Sequence, residues 1–221
     1  MSQATTLHVL GFDVRLDPAN FARGWSAARR ARFLLRDDID VPISIDPMVW
    51  PSKFWQRHVP PGIGIPRHLG TVAVPDGTPG YTRLGLWTDL DDLKRFASQA
   101  RVSVNGGKLI AILAWPGDER DTAWPSLLTG RSLPDVADWT TLGFDVADDS
   151  FISGLNNCGY EVDERPGLAA AWKANLNQHG LLKDLDAARR FAELADARVP
   201  EHAPFLVFEM RVPGPDKSEM L

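Results

Sequence analysis

Cysteine is almost missing from this chain: Cys158 stands alone among 221 residues. Neither an intramolecular disulfide nor a thiolate metal cluster can form, and nothing points to an oxidising compartment. No apolar run approaches the length of a membrane span. Residues 1–3 lead directly into an alternating polar–apolar pattern, without the basic segment and apolar core of a signal peptide. A cytoplasmic protein without membrane contact is therefore expected. No phosphate loop ending in Gly-Lys-Ser/Thr occurs, and Gly62-x-Gly64 lies among prolines rather than between a strand and a helix, which disfavours nucleotide binding. A basic stripe interleaved with aromatics is also missing, so nucleic acid is not an expected partner.

What the chain has is repetition. Gly85-Leu86-x-x-Asp89-Leu90-Asp91-x-x-x-Arg95-Phe96-Ala97 returns as Gly180-Leu181-x-x-Asp184-Leu185-Asp186-x-x-x-Arg190-Phe191-Ala192. Upstream, Leu10-Gly11-Phe12-Asp13-Val14 returns as Leu142-Gly143-Phe144-Asp145-Val146. Two matched blocks in the same order predict a duplication that pairs residues 6–117 with 138–214.

Local patterns fill in each copy. Residues 6–15 alternate as a strand does. Asp17-Pro18 opens a helix to about Arg36, with its arginines on the wet face. Thr88-x-x-Asp91 reads as a capping box for a helix over 88–100, followed by a strand over 108–115. The second copy predicts a strand over 139–147, a short helix near 150–157, a helix over 168–178 capped by Gly180, a helix over 184–197 and a strand over 205–212. The expected fold is one α+β domain spanning 1–221. In it, two pseudo-symmetric strand-helix-helix-strand repeats form a mainly antiparallel sheet covered by helices.

Residues 42–81 break every period, with eight prolines and five glycines, and have no counterpart in the second copy. An insertion on a duplicated frame is where new function is easily placed. Trp50, Phe54 and Trp55 lie in it, and Trp124 lies in the irregular connector between the copies. These four are expected to anchor a protein partner, because tryptophan offers large contact area at small entropic cost. The alternative is that the insertion's aromatics pack back onto the sheet as a lid.

Charge divides unevenly. Residues 1–117 hold 14 Lys and Arg against 10 Asp and Glu, whereas 118–221 hold 10 against 19. Residues 118–164 alone carry 11 acids and two bases. An acidic face of this kind repels phosphate backbones and attracts a basic protein, so Asp148 and Asp149 join the expected partner-binding set.

Reactive constellations are weaker signals. Asp13 and Asp145 occupy matching places, and a twofold axis could bring them together as a carboxylate pair for a divalent ion or for acid–base work. Cys158 lacks a nucleophile signature, His58 and His68 stand ten residues apart, and Glu201-His202 lacks the second histidine of a zinc helix. No catalytic residue, metal or cofactor is assigned.

A signal-less acidic protein with a duplicated core and an idiosyncratic loop resembles, in general character, the immunity proteins that bacteria make against polymorphic toxins. The resemblance rests on character rather than on matched residues and carries no functional positions. It implies a non-enzymatic inhibitor that neutralises a basic toxin by direct binding. The competing readings are an enzyme with its site between the repeats, drawing on Asp13, Asp145, His58 or His68, and an adaptor subunit of a larger assembly.

Overall fold

A computed structural model describes residues 8–16, 43–46, 49–50, 54–63, 86–87, 89–104, 107–115, 136–148, 151–155 and 172–214. In chain order these contain β1 (His8–Leu16), α1 (Phe54–His58), α2 (Leu90–Gln99), β2 (Gly107–Trp115), β3 (Thr140–Ala147), α3 (Leu185–Arg198), a 3-10 turn (Pro200–His202) and β4 (Leu206–Val212). The strands form one antiparallel sheet in the order β1-β2-β4-β3. An α+β fold follows. The expected helix over 17–36 lies outside the described residues.

The central strands are nearly continuous apolar runs because both faces of the sheet are covered. On one face, α2 packs with Phe12, Val14, Leu109 and Leu113, while α3 packs with Phe144, Val146, Phe205 and Val207. The other face presents Leu10, Ile110, Ile112, Phe208 and Met210 to Ile43, Ile45, Trp50 and Phe151. We call 43–46 and 49–50 the strap. Among the described residues, helices thus cover one face of the sheet and irregular chain covers the other.

The two outer strands share a local arrangement. Register shifts fall between Val9 and Gly11 in β1 and between Thr141 and Gly143 in β3. An extra residue reverses the alternation: Val9 packs with the α2 cluster but Leu10 and Asp13 turn to the far face. Beyond each shift the strand edge is met by a matching bridge, Phe12 to Trp87 and Phe144 to Leu182. The next edge N–H is taken by the preceding acid, Val14 N–H by Asp13 Oδ1 and Val146 N–H by Asp145 Oδ1, each at 2.8 Å. The Leu-Gly-Phe-Asp-Val block and the Gly-Leu block downstream of it are therefore two sides of one contact.

Some local expectations are corrected. Asp89, rather than Thr88, caps α2, accepting the N–H groups of Asp91 and Asp92. The helix expected near 150–157 does not form over 151–155: Ser153 bridges Ala147, and its hydroxyl is held by Asp145. Past Lys173 the chain turns instead of continuing as helix to 178, since Leu176 pairs with Leu182 and the Asn177 side chain donates to Leu142 O. Gly180, at φ +73°, belongs to that tight turn and not to a helix cap.

Candidate functional site

Alternation along β1 and β3 puts Asp13, Arg15 and Asp145 on the far face, beneath the strap. Arg15 is fully buried, a costly placement for a charge unless every donor is used. Its guanidinium donates to Ser44 O at 2.9 Å, Trp50 O at 2.7 Å and Ile45 O at 3.0 Å, and its Nε lies 3.3 Å from Asp13 Oδ2. The same guanidinium lies 5.4 Å from the Trp50 ring centre. Burial pulls its pKa below the ordinary value, opposed chiefly by the charge of Asp13 and then of Asp46.

Asp145 grips the strap from the opposite edge of the sheet. Its Oδ2 accepts the Ser44 hydroxyl at 2.6 Å and Ile45 N–H at 3.0 Å, and its Oδ1 accepts the Ser153 hydroxyl at 2.7 Å besides Val146 N–H. Burial raises its pKa, against these four hydrogen bonds. Asp46 Oδ2 accepts Ser153 N–H, and Ile43 N–H donates to His179 O. The strap is thus held by side chains and loops from both ends of the sheet rather than by a strand ladder. Asp13 and Asp145 stand on the two outer strands with two strands between them, roughly 14 Å at ordinary strand spacing, and the charges of both act on Arg15.

A second polar contact lies at the end of β3. Asp148 is buried and accepts Ile152 N–H through Oδ1, while its Oδ2 lies 2.9 Å from His202 Nδ1. Between these residues Phe151 is buried at φ +62°. The other described histidines differ: His58 is exposed, stacks on Phe54 and bonds the Phe54 carbonyl, and burial together with Lys108 lowers the pKa of His179.

Of the expected aromatic anchors, Trp50, Phe54 and Trp55 are not at the surface. Trp50 and Phe54 are fully buried, and Trp55 is 3% exposed. Trp50 donates its indole N–H to Leu16 O at 2.8 Å, and Trp55 packs edge-on against Phe54 and Phe96. A side chain already covered by its own fold offers no area to a partner, so for these three residues the packed lid is the arrangement found. Asp148 is likewise inside. Trp124, Asp149, His68 and Cys158 lie outside the described residues. Arg15, Ser44, Ser153 and His202 were missed as partners in polar contacts. One signal was legible, since Asp13 and Arg15 at i and i+2 on a strand must share a face.

Among the described residues no group of three or more His, Cys, Asp or Glu is placed to hold a metal ion, and no helix is long and apolar enough to cross a membrane. No family model, no curated protein and no solved structure matches this chain.

Proposed function

We propose that the chain is a non-enzymatic binding protein that docks onto a basic protein through its acid-rich stretch, as an inhibitor of the immunity type does. The observation that carries this reading is the charge of residues 118–164, 11 acids against two bases. Two of those acids, Asp145 and Asp148, are spent inside the fold, whereas Asp138 is exposed. With Trp50, Phe54 and Trp55 inside, the acids rather than the insertion's aromatics supply the attraction. Electrostatic attraction of this kind acts mainly on the rate of encounter.

The frame carrying this surface is read as two pseudo-symmetric halves. Supporting that reading, Asp13 lies opposite Ile110 as Asp145 lies opposite Phe208, and Ile112, midway, faces Met210. The strap belongs to the first half alone, so the duplication supplies the sheet and the insertion fastens it.

The test is kinetic. A partner captured from cell extract and identified by mass spectrometry is then measured with purified components. Association is expected to slow as salt rises, because exposed charges are screened over about 8–10 Å at physiological ionic strength. Asp138→Asn and Asp149→Asn are expected to lower the on-rate. An on-rate indifferent to salt, or a partner of net negative charge, overturns the reading.

A further inference from the structure

Residues 60–63 read Pro-Pro-Gly-Ile, and every one of them is exposed. Among the described residues no other large apolar side chain is exposed as Ile63 is, at 37%. Just upstream, Phe54 and Trp55 of α1 are covered by the fold. Four consecutive apolar residues left in water carry a cost that a chain tolerates where the run has a use.

The run is also held in one shape. Val59 N–H donates to Trp55 O at 2.9 Å, which ties the segment to the buried aromatics. Ile63 N–H donates to Pro60 O at 3.3 Å, and Gly62 stands at φ +91°. Proline in second place and a left-handed glycine in third make this a type II turn, and the proline at 61 keeps Pro60 extended. An added Cβ at Gly62 would meet nothing within 4 Å, so the turn stands clear of the body.

Its chemistry defines what fits it. Prolines carry no N–H, and those of Val59 and Ile63 are already bonded. Apart from the Gly62 N–H, the turn offers a partner only carbonyl oxygens and apolar surface. A complementary groove therefore supplies flat apolar faces together with N–H or O–H donors, which tryptophan and tyrosine combine. Arg57 is exposed three residues before Pro60, and among the described residues no acid pairs with it. We propose that residues 57–63 dock into the aromatic-lined, acid-rimmed groove of a proline-reading domain of the SH3 kind. This surface is separate in sequence from the acid-rich stretch and opposite to it in charge, so it goes beyond the binding of a basic protein. Because the turn is preformed, little loss of freedom opposes docking.

The full chain is titrated into a panel of purified, isotope-labelled SH3 domains, and the resonances of their grooves are followed by NMR. Saturable shifts confined to the groove are expected in at least one domain. Pro61→Ala and Ile63→Ser are each expected to weaken that binding about tenfold or more, the loss a true anchor shows. Arg57→Gln is expected to weaken it less and to remove its salt dependence. Gly62→Ala keeps both prolines but strains the turn, so it too is expected to weaken binding. Arg190→Gln, an exposed charge on α3, is expected to leave the affinity unchanged. All these positions are exposed, and circular dichroism of each variant checks that the fold is retained. A basic protein held through the acid-rich stretch would not respond to Ile63→Ser, so the two readings fail separately. No groove shift with any domain of the panel, or an affinity that survives Pro61→Ala and Ile63→Ser together, overturns the proposal.

Discussion

Phe12 and Trp87 exchange both main-chain hydrogen bonds, at 2.7 and 2.9 Å, along the outer edge of β1. The closeness of that contact explains Gly11, where an added Cβ would lie 2.5 Å from Trp87 O. At Gly143 the corresponding atom would lie 2.9 Å from Leu182 O and 2.7 Å from Leu181 Cβ, at φ +143°. Gly11→Ala and Gly143→Ala are each expected to destabilise the fold by about 1–3 kcal/mol, as other overpacking changes do. Gly143→Ala should be the worse, because backbone strain adds to the clash. Urea unfolding midpoints check both.

Arg15 tests the strap. Truncation to Ala removes the donor shared by three buried carbonyls and the partner of Asp13, and is expected to cost about 3–5 kcal/mol, as breaking a buried ion pair does. Arg15→Met together with Asp13→Asn should recover part of that loss, because the acid nearest the guanidinium is then no longer left as an unmatched charge. Equilibrium unfolding followed by tryptophan fluorescence is a suitable readout, Trp50 being stacked on the guanidinium.

Asp145 gives a pH dependence of definite sign. Burial raises its folded pKa above the unfolded value, so the folded chain holds this proton more tightly. Its contribution is therefore fully present below the ordinary carboxylate range, about pH 4, and is lost as pH rises through the folded pKa. Asp145→Asn has no such proton, and its amide places a donor against the fixed N–H of Ile45 or Val146. The variant should be less stable throughout, by about 1–3 kcal/mol at its largest, and the gap should narrow as pH rises from about 4. A gap that widens over that range contradicts the assignment.

The matching phenylalanines of α2 and α3 are not equivalent in burial. Phe191 is fully buried and packs edge-on against Trp172, whereas Phe96 is half-buried beside Trp55 and Trp87. Phe191→Ala is expected to cost about 3–5 kcal/mol. Phe96→Ala should cost measurably less, since part of its ring is already in water. Thermal unfolding of the two variants side by side decides it.

What the sequence made legible was whatever carried a period or a partner close in register. The strands and the helices α2 and α3 lie within a residue or two of their expected ends, because alternation and helical spacing were strong there. The strap was opaque for the converse reason. A proline-rich segment has no period, so nothing local separates a buried Trp50 from an exposed one. Asp148 was counted as surface charge because its histidine stands far away in sequence. Asp13 and Asp145 stood out in the sequence as repeated acids, but only the sheet order places them on opposite outer strands, with Arg15 and the strap between them.

The strap is gripped by Arg15 on one outer strand and Asp145 on the other, and the two grips can hold together only once all four strands have joined. Its docking is therefore expected to fall on the downhill side of the folding barrier. Until then Ile110, Ile112, Phe208 and Met210 form an uncovered apolar surface. Substitutions at Ser44 or Ile45 should accordingly speed unfolding far more than they slow folding. The strap then governs how long the folded chain persists rather than how quickly it forms, and its loss would leave a sheet that assembles normally and associates through its bare side.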